Sequence, residues 1–555
     1  MLYPRRTQKL SDSESRRLTS AINALPDNVV LLIFDHYRRR STGGAHSSWW
    51  QIWCTLAHVC KRWKELILAS SRRLNVQLRC TFGTHAEDLI AYSPALPLVL
   101  DYHSRHEEKW TYVDMDSVIV ALHQLHRARE IVLSAPASTL AKLTATMADA
   151  TAPMLEHLEL ESQTTELDLP RRFLDALAPP HLRLLRLNGC ILQAWCPLLS
   201  TAISLEHLVL HRIPVLAAEF AAAPEGLASC VRSMPRLRTL SISFVSATAP
   251  HSSPVVDNRL LSPHQTTTPT PSRTSDTDRA ELPALEELAY QGPSTYIDAF
   301  LAVFSVAPRM RRLRLKLFDK PKATFSIPHV AKFIHSHASA DPPKPAFSLA
   351  LVEFYESSAG LTLFPPATPR DRTIPRHNQH DDVHDDDHDD GNSTRSEISI
   401  RVPGELLKDQ LSALASICSA LARPTLSSIT ELMLGLYAHE LPTSSTDSVQ
   451  RRQTLWLALL MSFQSIRTLR VDTALGAEIA HAMTTGVENG GIAQKRGECE
   501  NDGERLGLLP ALCAVKPLYQ VVSAPGLSSS THAALLTLAE RNRRFAAGRP
   551  AVEID

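Results

Sequence analysis

The chain has 555 residues, more than one compact core accommodates, so its length points to two domains or to an elongated repeat array. Lysine plus arginine balance aspartate plus glutamate, 58 against 58, which removes the overall basic excess expected of a nucleic-acid-binding protein. Proline outnumbers glycine, 37 to 19, and only 6% of residues are aromatic, a composition that suits a loop-rich, leucine-based architecture better than a β-sandwich.

Residues 1–20 read as a charged, disordered tail without the apolar run of a secretory signal. The stretch "LPDNVVLLIFDHYRRR" then predicts a helix with Val29, Val30, Ile33, Phe34 and Tyr37 on one face. Pro26 and Asp27 sit where a first turn tolerates a missing N–H and welcomes negative charge, and Arg38 to Arg40 lie at the opposite, negative end of the dipole. After the loop "STGGAHSS", the region "WWQIWCTLAHVCKRWKELILASSRRL" predicts a second helix. Within it Leu56, Val59, Cys60, Trp63, Leu66 and Ile67 stand at i, i+3, i+4, i+7, i+10 and i+11, one apolar stripe, with Lys61, Arg62, Lys64 and Glu65 on the rest.

Further along, the phrase L-x-x-L-x-L recurs. It stands as "LEHLEL" from Leu155, "LRLLRL" from Leu182, "LEHLVL" from Leu205 and "LRTLSI" from Leu237, with start-to-start separations of 27, 23 and 32 residues. Looser versions follow: "LEELAY" from Leu285, "MRRLRL" from Met310, "ITELML" from Ile429 and "IRTLRV" from Ile466. Helix-like stretches such as "PRRFLDALAPPH" and "EGLASCVRSMPR" lie between them. Leucines at alternate positions point inward from a strand, and each strand–helix unit covers its neighbour's core, which is the logic of an irregular leucine-rich-repeat solenoid of α/β class. The alternative is a set of unrelated amphipathic strands in an ordinary α/β domain. Three segments, about 246–280, 362–397 and 484–504, are too polar to offset the entropy of ordering and read as disordered insertions.

The nine cysteines are scattered, odd in number and form no C-x-x-C pair, so they read as reduced thiols in an intracellular protein, cytoplasmic or nuclear. No apolar run approaches the ~18 residues of a membrane span. The run "HDDVHDDDHDD" lacks the central glycine and closing glutamate of a calcium loop and reads as a solvated acidic stretch rather than a metal site. No nucleophile elbow, phosphate-binding glycine loop, dinucleotide fingerprint or zinc-protease motif occurs, so no catalytic residue, metal or cofactor is assigned and the chain is read as a non-enzyme.

The two N-terminal helices together resemble an F-box. Leu25, Pro26, Val29, Ile33 and Phe34 match its first part, and Leu56, Val59, Cys60, Trp63 and Leu66 match its second, around the core "VCKRW". The departure is the joining segment "RRRSTGGAHSSWWQ", longer than the short leucine-bearing link of the family. "SSRRLNVQLRCTFGT", "SPALPLVLDY", "LHRAREIVLS" and residues 282–318 are similar to the F-box-like proteins abundant in mushroom-forming fungi, in which an F-box precedes irregular leucine-rich units.

The resemblance implies a domain order of tail (1–20), helical F-box (21–70) and repeat region (71–555). It also implies a function: substrate receptor of an SCF-type (Skp–cullin–F-box) ubiquitin ligase, with those ten residues supplying the Skp adaptor surface and the repeats holding a target protein. No nucleic acid or membrane enters that scheme. The alternative is a repeat scaffold with no ligase role, whose helices cap the first repeat. How the apolar stripe divides between the helical pair's own packing and a partner is left open, with Trp63 the first residue to test.

Overall fold

In a computed structural model of the chain, the described residues are 24–41, 53–70, 77–102, 112–169, 173–191, 202–214, 224–245, 282–304, 310–318, 327–338, 347–366, 397–438, 449–482 and 512–518, apart from a few positions inside these ranges. The tail, the tryptophan pair at 49 and 50, the insertions at 246–280 and 484–504 and the acidic run lie outside them. The chain divides into two compact units: residues 1–164 with 172–181, and residues 165–171 with 182–555.

The first unit holds helices α1 (Asp27–Ser41) and α2 (Lys61–Ala69), then an alternation of strands and helices. Strands β1 (Leu78–Cys80), β2 (Leu98–Tyr102), β3 (Ala128–Ala135) and β4 (His157–Ser162) pair in that order, all parallel. Helices α3 (Ala86–Tyr92), α4 (Tyr112–Leu122) and α5 (Ala137–Met147) make the crossovers that parallel strands require. α4 packs on β1 and β2, and α5 on β3. Leu98, Leu100 and Tyr102, Ile131 and Leu133, and Leu158 and Leu160 form its core together with Val118, Leu122, Leu140 and Leu143. Burial pushes the Cys80 thiol from its ordinary value near 9 up to about 11.

The second unit begins with a short side pair, β5 (Leu167–Asp168) beside β7 (Cys190–Ile191). Its main sheet runs through β6 (Leu184–Asn188), β8 (His207–Pro214), β9 (Thr239–Val245), β10 (Glu287–Gly292) and β11 (Arg312–Leu317), parallel throughout. Helices α6 (Pro224–Arg232), α7 (Ser294–Ala302) and α8 (Pro328–Ala338) follow β8, β10 and β11 and stack side by side.

All eight leucine phrases form strands, and each phrase's three apolar positions are at most 2% exposed. The opening residue sits in a turn onto the strand: the Leu155 amide donates to Ala152 O, Leu205 to Ala202 O and Leu237 to Met234 O. The residue after it then joins neighbouring units. Glu206 N donates to Arg183 O, Arg238 N to Glu206 O, Glu286 N to Arg238 O and Arg311 N to Glu286 O, at 2.7–2.8 Å. One backbone bond therefore repeats from unit to unit, as the repeat reading requires.

The parallel run is interrupted once. Strands β12 (Leu349–Phe354) and β13 (Ser358–Phe364) form an antiparallel hairpin, and β14 (Glu397–Pro403) returns to lie between β13 and β11. Beyond the hairpin, β15 (Glu431–Leu436), β16 (Thr468–Val471) and β17 (Ala514–Pro517) extend parallel from β12. α9 (Leu407–Ala420) and α11 (Val449–Met461) pack together behind this part, with the short α10 (Arg423–Ser427) near α8. Residues 362–364, which the polarity of the following stretch assigns to a disordered insertion, complete β13 instead. Leu361 and Leu363 pair there with Ile400 and Ile398 in the core. The architecture is a mixed α/β fold with a large parallel sheet, consistent with an α/β solenoid.

Candidate functional site

The N-terminal helices carry the residues that the sequence singles out. α1 opens where the amides of Val29 and Val30 donate to Pro26 O at 3.0 and 3.1 Å. Arg62 of α2 reaches back to this start, and its Nη2 donates to Leu25 O and to Asp27 Oδ1, each at 2.6 Å. Between the helices Phe34 and Trp63 meet edge to face, ring centroids 4.9 Å apart at 76°. Val30, Leu31, Phe34, Trp53, Leu56, Trp63 and Ile67 are all buried.

The single helical stripe expected from Leu56 to Ile67 is broken. Residues 55–57 are helical, His58 and Val59 turn, and Cys60 is extended (φ −161°, ψ 165°) as the cap from which α2 starts at Lys61. A continuous helix would hold Val59 on one stripe with Leu56, three positions before it, and Trp63, four positions after it. The break turns Val59 outward to 54% exposure while Leu56 and Trp63 stay inside.

The stripe is thereby sorted. Phe34, Leu56 and Trp63 face inward; Leu25, Val29, Cys60 and Leu66 are half-buried; Pro26, Ile33 and Val59 are exposed. Trp63, the residue first in line as a partner contact, is 9% exposed and belongs to the interior of the pair, because Phe34 takes its ring. Ile33 (40%), Tyr37 (44%) and Leu32 (59%) face out from α1, and Leu68 (40%) from α2. Leu32 and Leu68 escape the sequence reading of a partner surface. The signal was present: Val29 to Phe34 is apolar without interruption, so the helix has apolar residues around its whole circumference and more than one face to cover.

In the second unit, the sheet face turned away from the helices is polar apart from an apolar cluster of Leu351, Met433 and Leu518. Its arginines meet glutamates on adjoining strands: Arg312 with Glu287 at 3.3 Å and Arg314 with Glu397 at 2.9 Å. Arg470 lies 2.6 Å from Glu431 at an angle that makes no hydrogen bond. His211 Nε2 lies 2.8 Å from Ser241 Oγ on the neighbouring strand. Burial holds the His207 imidazole below its usual range, opposed by Glu206. Among the described residues no group of three or more His, Cys, Asp or Glu is placed to hold a metal ion. No described helix is long and apolar enough to cross a membrane.

No family model matches the chain, and no curated protein matches it. Among solved structures it is similar to the crystal structure of the Rad7 and Elc1 complex in yeast, at 12% identity and a TM-score of 0.25, covering 94% of this chain and 98% of that one.

Proposed function

We propose that this chain is an F-box-type substrate receptor of a cullin ubiquitin ligase. Its N-terminal helical pair docks a Skp-type adaptor, and its leucine-rich-repeat solenoid holds a target protein. On this reading the receptor works inside the cell, in the cytoplasm or nucleus, and carries no catalytic group or cofactor, because ubiquitin transfer belongs to other subunits.

The observation that supports it is the division of apolar residues on α1. Phe34 and Trp63 complete the contact between the two helices, while Leu32, Ile33 and Tyr37 remain on the outside of the same helix. A row of exposed apolar side chains at i and i+4 is what an adaptor groove takes from a helix, and an aromatic among them suits an anchor. The other scheme, a scaffold whose helices merely cap the first repeat, expects that face to be covered.

Co-purification with a Skp subunit tests the proposal. Ile33→Asp with Tyr37→Ala should abolish capture at unchanged melting temperature, since truncating an anchor of this kind costs about 2 kcal/mol of binding or more. Trp63→Ala should also lose capture, but with loss of helix-pair structure. Full capture by the Ile33/Tyr37 variant overturns the proposal.

A further inference from the structure

The open part of the second unit's non-helix face lies on β9, β10, β11 and β14. Beyond β14 the face is closed, with Thr362, Leu351, Glu353 and Met433 all buried. Outward positions on the four open strands fall into rows that cross the sheet. The first row is Thr239, Glu287, Arg312 and Glu397, and the second is Ser241, Ala289, Arg314 and Ser399. Both glutamates are committed, Glu287 to Arg312 and Glu397 to Arg314. The third row is Ser243, Gln291, Lys316 and Arg401, and it contains no carboxylate.

Every side chain in that third row carries a hydrogen-bond donor: a hydroxyl, a carboxamide, an ammonium and a guanidinium. Lys316 is exposed and the other three are half-buried, so solvent reaches all of them. The side chains of Ser243, Gln291 and Lys316 make no hydrogen bond or ion pair among the described residues. Arg401 is steered by an uncharged neighbour. Its guanidinium lies 4.5 Å over the Tyr355 ring and donates to Tyr355 Oη at 3.1 Å, which leaves further N–H groups on the fork.

The row is also lopsided. Lys316 and Arg401 are register partners on adjacent strands, and like charges placed opposite one another oppose pairing until an anion joins them. Ser243 and Gln291, also register partners, offer two neutral donors at the other end. The chain as a whole has equal numbers of acidic and basic residues, so two cations without a counter-charge on one open row are a local arrangement and not a consequence of composition.

We infer that this row seats an acidic segment of the target protein, which crosses the strands with one carboxylate held by Lys316 and Arg401 and a second by Ser243 and Gln291. Strands are spaced about 4.8 Å apart, so the centres of the two donor pairs lie roughly 10 Å apart across the sheet. A segment in the polyproline II conformation has three residues per turn and rises about 3.1 Å per residue. Acids three positions apart therefore lie on one side of it at roughly 9 Å, which matches the two pairs. The inference rests on the receptor reading and deepens it by naming the chemistry of the target.

The test uses acetylated, amidated Gly/Ser peptides carrying two Glu at separations of one to six positions and a zwitterionic rhodamine label, titrated into the full chain at low salt. Separation three should bind at least about fivefold more tightly than a one-Glu peptide. Lys316→Glu should abolish binding of every acidic peptide at unchanged melting temperature. Gln291→Ala should remove the preference for separation three and leave one-Glu binding in place. Binding independent of spacing, binding that survives Lys316→Glu, a preference that survives Gln291→Ala, or no peptide above a Gly/Ser control each overturns the inference. Tighter binding of an oligothymidylate than of any peptide overturns the choice of a protein segment. Binding seen only after the aspartates of 381–390 are replaced by asparagine overturns it in favour of the chain's own acidic run. Skp capture is measured on the same preparation. Capture without acidic-peptide binding overturns the seat alone, whereas peptide binding without capture upholds the seat and overturns the ligase reading.

Discussion

In the strand stack each apolar side chain has one destination, and in the N-terminal helix pair it has two. Leu240 lies between Leu208 and Leu288 on its neighbouring strands, and all three are buried. Strand side chains alternate strictly, so the first leucine inside each strand settles the facing of the rest of its phrase. α1 obeys a looser rule. Val30 and Phe34 point inward and Ile33 and Tyr37 outward, although all four are apolar and three lie within five residues. Apolar side chains in the stack serve the fold alone, whereas on α1 they are divided between the interior and the exposed surface.

The contrast is sharpest under truncation. Leu240→Ala should destabilise the second unit by about 2–5 kcal/mol, the range for removing a fully buried leucine. Ile33→Ala should change stability by no more than about 0.5 kcal/mol, as for an exposed position. Urea denaturation of both variants checks the pair. Similar losses for the two would mean that Ile33 is covered within this chain, and the partition of α1 would then be wrong.

How much of this the sequence could disclose follows from the same contrast. The eight leucine phrases were legible because repetition and alternation reinforce one another. β12 and β13 were not: most of their residues are buried on both faces, so the period of two disappears. Leu351 and Met433 owe that second burial to a small apolar cluster with Leu518 on the non-helix face, a contact between distant segments that no local pattern announces. β14 alternates cleanly as "EISIRVP" but lacks the opening leucine and follows the acidic run. In the helix pair the sequence singles out ten residues but does not give their facing. A six-residue apolar run does not say which side meets Trp63, and the helix break at Cys60 has no proline or glycine to mark it.

The buried thiols separate the two units by chemistry. Cys80 in the first unit is pushed up to about 11 and Cys418 in the second to about 12, both by burial. A thiol whose folded value lies above its unfolded value contributes stability that is whole below about pH 9 and declines as pH rises through the folded value. Titration of Cys80 should therefore take stability from the first unit between pH 9 and about 11, and titration of Cys418 from the second unit between pH 9 and about 12. Cys418→Ala should flatten the second unit's decline and leave the first unit's in place, as followed by hydrogen exchange against pH. A profile unchanged by Cys418→Ala would place the titration elsewhere.

The smallest effect tests the entry of α1. Arg62 joins Leu25 O and Asp27 Oδ1 with one guanidinium, yet the Asp27 side chain is 63% exposed, so water weakens the charge component. Arg62→Ala should cost about 1 kcal/mol or less. It should appear as faster exchange of the first amides of α1 rather than as global unfolding. Arg62→Lys separates charge from shape, because an ammonium retains the attraction to Asp27 but lacks the planar fork that spans two acceptors. If Lys restores slow exchange, the clamp is electrostatic and should fade in salt. If it does not, the two-point geometry fixes where α1 begins, and with it the angle at which Leu32, Ile33 and Tyr37 are presented.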